Sequence, residues 1–315
     1  MRNNILFQIK DKAIWVVFII LFIGFSIANQ RFLHPNNLLM VLRQVSMLGI
    51  ASVGMTFVIL TAGIDLSIGS IITIVNIICA YMMVNMGMNM VTAIVLTLMI
   101  STLIGLMNGF MVSSIGIPAL IATFATQTAV EGLAFVISKG TPIFGFDERF
   151  KVIGQGYVGP IPIPILIMAA CFAIGSIILN KTYFGRYFYA IGGNEEASKL
   201  SGIRVRRVKY MVYALSGFFA GLAGIVLLSR TNSGQPTSGK GYEFDVITCV
   251  VLGGVSISGV FGKFSNVIAG VMIIGVLSNG MVLMNISSYT QMIIKGIILA
   301  GAVGFDCIQK RKQIA

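Results

Sequence analysis

Between Asp65 and Glu131 the chain carries no charged residue and no histidine: positions 66–130, 65 residues in all. A water-exposed surface cannot be built from such a stretch, because soluble domains draw about a quarter of their residues from Asp, Glu, Lys and Arg. A bilayer can hold it. A helix of about 20 apolar residues crosses a hydrocarbon core of about 30 Å, so the stretch fits three crossings joined by tight turns. Those turns fall at Asn85–Asn89 and Ser113–Pro118. The whole chain agrees: of 315 residues, 57% are hydrophobic and 10% charged. A soluble globular domain, a disordered chain and a collagen-like fibre are excluded.

Apolar runs lie near 13–29, 45–64, 66–86, 91–111, 118–137, 162–180, 209–229, 246–258, 265–284 and 289–307. The expected fold is all-α: a polytopic transmembrane helical bundle of about ten spans, forming a single domain over 1–315. Ten spans use roughly 200 residues, which leaves no room for a soluble catalytic domain. Basic residues gather in three places: Arg2, Lys10 and Lys12; then Lys181, Arg186, Lys199, Arg204, Arg206, Arg207 and Lys209; then Lys310, Arg311 and Lys312. The positive-inside rule puts all three in the cytoplasm, with both termini. Six spans before the central loop 181–209 and four after it close the parity. The net charge of +12 reads as this asymmetry, with membrane lipid as its neighbour, and not as nucleic-acid binding. Ser26-Ile27-Ala28 resembles a signal-peptidase site, but the apolar run before it is long for a signal peptide, and an uncleaved first helix is expected.

Several motifs look like chemistry and are not. Gly234-Gln235-Pro236-Thr237-Ser238-Gly239-Lys240-Gly241 approaches a phosphate-binding loop, but Gly241 stands where Ser or Thr would hold magnesium, and no strand precedes it. Gly154-Gln155-Gly156-Tyr157-Val158-Gly159 is followed by Pro160, Pro162 and Pro164 and reads as an extended loop. His34 is the sole histidine. Cys79, Cys171, Cys249 and Cys307 are isolated in mostly apolar surroundings, as small hydrophobes facing lipid or core. No catalytic constellation, metal cluster or resident cofactor is expected, so the chain does not read as an enzyme. Gly63–Ser67 echoes Gly254–Ser258, and Gly105 with Asn108-Gly109 echoes Gly275 with Asn279-Gly280, a hint of internal duplication.

Two segments carry functional signals. In the loop 181–209, Asn194 is an N-cap, Glu195 and Glu196 suit a helix first turn, and Gly202 suits its end. The resulting helix is too short to persist alone in water. It must dock, and Ala197, Ser198 and Ser201 are small enough to enter a groove on a cytoplasmic partner. Asp65 lies between two apolar runs in Thr61-Ala62-Gly63-Ile64-Asp65-Leu66-Ser67-Ile68-Gly69-Ser70. Intramembrane carboxylates usually face a cavity or partner, and Gly63 and Gly69 permit a helix break. The segment reads as a polar hinge beside a permeation path, or as an interfacial turn capped by Asp65. Glu131 is either a partnered surface residue or a pore residue, and Lys295 can snorkel outward.

These segments resemble the membrane permease subunits of monosaccharide ABC importers, the ribose/xylose/arabinose/galactose branch. The similarity runs from about residue 30 to residue 308. It rests on Thr61–Ser70, on Gly192-Gly193-Asn194-Glu195-Glu196-Ala197-Ser198-Lys199-Leu200-Ser201-Gly202-Ile203 with Val205 and Lys209, and on Gly241-Tyr242-Glu243-Phe244-Asp245 running into Val251-Leu252-Gly253-Gly254. Asn279-Gly280 and Gln291 continue it. The chain departs from the pattern with Ala62 for the usual Gly, Ser198 for a common Ala, and Glu131 where Arg is expected.

The resemblance implies a two-permease path served by a cytoplasmic ABC ATPase, which holds the ATP and magnesium, and an extracytoplasmic sugar-binding protein. The second permease is another copy or a similar chain. Asn194, Glu195, Glu196, Ala197, Ser201 and Gly202 then form the ATPase-coupling helix. Asp65, Ser67, Asn108, Ser256 and Asn279 stand near the path. The loops 139–161 and 230–245, with Asp147, Glu148, Arg149, Lys151, Lys240, Glu243 and Asp245, meet the binding protein. A ribose-like pentose is the favoured cargo and the cytoplasmic membrane the location. An ion-coupled secondary transporter is the alternative reading, for which Asp65 would have to help form the coupling-ion site.

Overall fold

The computed structural model describes residues 2–259 and 261–314, with side chains between 13 and 308. The side chains of Arg2, Lys10, Lys12, Lys310, Arg311 and Lys312, part of the expected sidedness signal, lie outside the described residues. Thirteen α-helices are described: α1 (Arg2–Ala28), α2 (Pro35–Leu60), α3 (Ile68–Val84), α4 (Met90–Phe110), α5 (Ala119–Ser138), α6 (Glu148–Gln155), α7 (Ile163–Lys181), α8 (Tyr183–Gly193), α9 (Glu195–Leu200), α10 (Val205–Thr231), α11 (Tyr242–Leu252), α12 (Phe264–Leu283) and α13 (Ser288–Ile314). A π-helical turn, Met111–Ile115, extends α4, and a hairpin pairs β1 (Tyr157–Val158) with β2 (Ile161–Pro162). The all-α reading holds.

Among the described residues, seven helices are long and apolar enough to cross a membrane: α2, α4 with its π turn, α5, α7, α10, α12 and α13. The apolar stretch Ala13–Ala28 of α1, and α3, are shorter. The expected run at 246–258 is instead α11, which begins at Tyr242 and ends at Leu252. Its start follows Gly241 at φ 86° and its end precedes Gly254 at φ 75°, both left-handed backbone that ends a regular helix. At 1.5 Å per residue, α11 is about 16 Å long and covers only part of a bilayer. The sequence reading also missed α6 and α8. The latter is amphipathic, with Phe188 and Ile191 buried against the bundle.

Helices α2, α10 and α12 form the core. Of their apolar stretches 67%, 72% and 72% are buried, against none of α13. Association in lipid depends on close backbone approach at small residues, and glycines mark the contacts. A Cβ on Gly105 of α4 would lie 2.2 Å from the Tyr213 carbonyl oxygen of α10, and one on Gly217 would lie 2.3 Å from the Ser101 carbonyl oxygen. On α12, a Cβ at Gly275 would meet Val45 of α2 at 2.1 Å.

These contacts show the duplication. α4 packs on α10 as α12 packs on α2, α3 on α10 as α11 on α2, and α5 on α3 as α13 on α11. The echo of Gly105–Gly109 in Gly275–Gly280 falls on equivalent helices. The echo of Gly63–Ser67 in Gly254–Ser258 does not, since the first lies between α2 and α3 and the second between α11 and α12. The loop that approached a phosphate-binding motif runs beside α3, where Gln235 N donates to Asn76 Oδ1 (2.9 Å) and Gly239 N to Thr73 Oγ1 (2.9 Å).

Replacing Gly105 with Val puts a branched side chain into backbone. Overpacking of this kind costs about 1–3 kcal/mol. The thermal midpoint of purified G105V in detergent is expected to fall well below that of the parent, whereas Gly24→Val, where a Cβ meets nothing within 4 Å, leaves it unchanged.

Candidate functional site

The turn between α2 and α3 sits inside the bundle and not at an interface. Its Asp65 is fully buried. Asp65 Oδ1 accepts from Ser67 N (3.0 Å) and Ser67 Oγ (2.6 Å), and Oδ2 accepts from Ser216 Oγ (2.7 Å). Ser216 is the twelfth of the 27 residues of α10, so the carboxylate lies near the middle of that helix. Asp65 also sits at the start of α3, where the helix dipole favours a negative charge. The chain of bonds continues: Asn108 Nδ2 donates to Ser67 Oγ (2.8 Å), and Thr126 Oγ1 donates to Asn108 Oδ1 (2.6 Å). Leu66 N donates to Thr123 Oγ1 (3.1 Å). One network therefore ties α10, the turn, α4 and α5 together. Sequence reasoning found Asp65, Ser67 and Asn108 but missed Ser216, Thr123 and Thr126, whose only signal is a hydroxyl in an apolar helix.

Ser256 and Asn279 stand apart from this cluster. Ser256 Oγ donates to Asp306 Oδ2 (2.9 Å), which also accepts from Ile257 N (3.1 Å) and so fastens the α11–α12 turn to α13. Asn279 and Asn37 exchange two amide bonds, at 2.9 and 3.0 Å, between α12 and α2.

The acidic residues near 243 are placed differently from the expected outward loop. Glu243 and Asp245 belong to the first turn of α11, and Glu243 is 2% exposed. Gln127 Nε2 donates to Glu243 Oε1 (3.0 Å). Asp245 Oδ2 pairs with Lys295 Nζ at 2.7 Å, so Lys295 is held to α11 and does not snorkel. Both carboxylates point inward because α11 begins inside the bundle. In the other expected docking loop, Asp147, Glu148 and Arg149 are exposed, and Lys151 pairs with Glu148. Cys79, Cys171 and Cys249 are buried and Cys307 is exposed, all as free thiols.

The short helix α9 is built as its sequence requires. Asn194 Oδ1 accepts from Ala197 N (2.9 Å). At the other end Ile203 N reaches Ser198 O and Gly202 N reaches Lys199 O, both at 3.0 Å, with Gly202 at φ 84°. This is the two-bond Schellman closure. Glu195 Oε2 meets Lys209 Nζ of α10 at 2.5 Å, and Lys199 Nζ bridges Glu195 (3.2 Å) and Glu196 (2.8 Å). Ser198, expected on the docking face, is buried and bonds its Oγ to Asn194 O. The exposed face is Ala197, Ser201 and Leu200, which is 89% exposed and was overlooked. A cavity of about 330 Å³ separates α9 from the bundle, lined by Ala62, Gly63, Gly116, Glu195, Lys209 and Tyr213.

Fold and site together define a polytopic membrane transport component. Residues 37–303 match the family described as branched-chain amino acid transport system / permease component. The chain is 46% identical over 289 residues to the ribose import permease protein RbsC of Bacillus subtilis, covering 91% of this chain and 89% of the relative. It is 44% identical over 304 residues to the ribose import permease protein RbsC of Haemophilus influenzae (95% and 94% covered). It is 41% identical over 310 residues to the L-arabinose transport system permease protein AraH of Escherichia coli (95% and 90% covered). No solved structure matches. The chain belongs to this permease family, in its monosaccharide ABC importer branch, and is a transport subunit, not an enzyme.

Ala62 has φ 56°, left-handed geometry that a glycine adopts without strain. Ala62→Gly is expected to raise the unfolding free energy by about 0.5 kcal/mol, the relief of strain exceeding the added chain entropy, as read from denaturant midpoints in detergent. For Glu195, partial burial pushes the carboxyl up, but Lys209 and Lys199 outweigh it and hold the group below its ordinary 4.5. The folded value lies under the unfolded one, so the docked state of α9 gains stability above pH 4.5 and loses it as the pH falls through the lowered value. Amide exchange at Ala197 and Ser198 is expected to accelerate in that acid window, and Glu195→Gln to remove the dependence.

Proposed function

We propose that the chain is the membrane-spanning subunit of an ATP-driven importer that moves a small sugar, a ribose-like pentose, across the cytoplasmic membrane. The observation that carries this reading is the capped, exposed helix α9, in a chain whose relatives over nine-tenths of its length are named ribose and arabinose permeases. In this reading the chain crosses the membrane ten times, with both termini and α9 in the cytoplasm: α1, α3, and α11 joined to the extended segment before it that runs beside α3, complete the seven long helices. ATP and magnesium belong to a partner ATPase and no cofactor to this chain. A sugar-binding protein docks on the opposite side, and a second permease completes the path.

Asn194, Glu195, Glu196, Ala197, Ser201 and Gly202 build the coupling helix, with Leu200 as the apolar tip inserted into the ATPase. Asp65, Ser67 and Asn108 brace the wall of the path from behind, near mid-depth. Ser256 and Asn279 fasten the second half of the repeat near its two ends. A secondary transporter needs a carboxylate free to take a coupling ion, whereas both oxygens of Asp65 already accept hydrogen bonds from serines.

Leu200→Asp and Ser201→Trp alter only exposed atoms of α9. Each is expected to lower ATP-dependent pentose uptake in proteoliposomes at least tenfold, and to lose co-purifying ATPase, with membrane insertion and thermal midpoint unchanged. Undiminished uptake in both variants would remove α9 from the coupling role. Uptake that follows an ion gradient and ignores ATP would replace the importer reading altogether.

A further inference from the structure

We propose that the outer face of α5 around Thr128, Glu131 and Gly132 lines a water-filled passage, and that Glu131, backed by Glu243, makes this passage electronegative, so that it admits neutral polyhydroxylated solutes and disfavours anionic ones. The solute half of this statement rests on the importer reading; the water-filled half does not.

Glu131 is the thirteenth of the twenty residues of α5. It is half-buried, and among the described residues it makes no hydrogen bond or ion pair. Its neighbours Thr128, Ala129 and Gly132 are exposed, and a Cβ on Gly132 would meet nothing within 4 Å. Four occupants can be weighed for this face. Lipid is the first, and a carboxylate in contact with hydrocarbon is strongly disfavoured. Glu131 cannot escape to the interface, because seven residues, about 10 Å of helix, separate it from the end of α5.

A cation is the second. Lys295 is engaged with Asp245, Lys139 closes the far end of α5, and Lys240 makes no ion pair with either carboxylate among the described residues. A tightly packed second copy is the third. A two-fold axis beside this face would set Glu131 against Glu131, two like charges without a counter-charge. Water, with a polar solute in transit, is the occupant these observations favour; a non-identical permease packed on this face would leave both cysteines silent in the test below.

The charge has a second source behind the face. Gln127, one turn before Glu131 on the same side of α5, hands its amide to Glu243 Oε1, while the buried Oε2 of Glu243 has no partner. Two carboxylates without an ion-paired cation among the described residues make the local field negative. Carboxylates accept charge-assisted hydrogen bonds from the hydroxyls of a polyol, and the same field opposes a carboxylate or phosphate on the solute.

The test uses thiol accessibility, which does not depend on transport. Gly132→Cys is made in a Cys307→Ser background, the other three cysteines being buried. The complete transporter in proteoliposomes is treated with membrane-impermeant cationic and anionic methanethiosulfonates, with Thr128→Cys as a second reporter. Both sites are expected to react, the cationic reagent about tenfold faster than the anionic one after correction for a free thiol. Adding Glu131→Gln is expected to shrink that ratio several-fold. Silence at both cysteines in the intact protein, with full labelling once unfolded, would overturn the water-filled face. Equal corrected rates, or a ratio that Glu131→Gln leaves alone, would overturn its charge. Charge-selective labelling in a protein that imports no sugar would uphold the passage and discard the importer reading.

Discussion

A backbone that leaves helical geometry inside hydrocarbon exposes amides and carbonyls that no water receives, and the bundle is arranged around two such departures. In the first, residues 61–67, the amides of Leu66 and Ser67 are taken up by Thr123 Oγ1 and Asp65 Oδ1. In the second, the chain after α10 runs beside α3, and Asn76 and Thr73 receive the amides of Gln235 and Gly239. The acceptors come from facing helices, so α3 and α5 must carry Thr and Asn on apolar faces. The two breaks also meet: a Cβ on Gly69, in the first turn of α3, would lie 2.0 Å from Glu243 Oε2, in the first turn of α11. Two helix N-termini thus converge, each with its own carboxylate close by. That is a stable way to bury two positive dipole ends.

Close packing supplies the rigidity these breaks require. Lipid gives helices no hydrophobic reason to associate, so van der Waals contact and hydrogen bonds hold them. Gly54 on α2, Gly105 on α4 and Gly217 on α10 have backbone where a side chain would stand, and at Gly275 on α12 the Val45 side chain of α2 takes that space. The two glycine contacts at equivalent places, α4 on α10 and α12 on α2, are what the duplicated halves share. The helices outside this core, α5 and α13, carry exposed apolar side chains, among them Phe124 and Val136 on α5 and Met292 and Ile297 on α13.

Much of this was legible in the sequence, for definite reasons. Apolar runs mark helices because the bilayer imposes their length, and Asn194 and Gly202 mark the ends of α9 because capping is local. α11 was misplaced because its ends are fixed by left-handed glycines at 241 and 254, not by polarity. α8 went unnoticed because an amphipathic helix lying along the bundle has no long apolar run. Glu243 and Asp245 look like charges of an outward loop in the sequence, since nothing local announces that a helix begins deep in the fold. Ser216 carries no signal of its own. Its partner Asp65 is 151 residues away, and only the folded chain brings them together.

The placement of α9 gives the buried turn a mechanical neighbour. Glu195 grips Lys209 on the first turns of α10, and Lys209, Tyr213 and Ser216 repeat at intervals of four and three, so they share one face of that helix. The face that anchors α9 therefore also carries the hydroxyl that holds Asp65. With 72% of its apolar stretch buried, α10 is held along its length by the packed core. A cavity lies between α9 and the α2–α3 turn, where the left-handed Ala62 and Gly116 sit at two chain reversals. Two left-handed chain reversals, the first turns of α10 and Glu195 of α9 therefore surround one cavity. Glu195–Lys209 and Ser216–Asp65 are thus the two side-chain contacts that join α9, α10 and the α2–α3 turn.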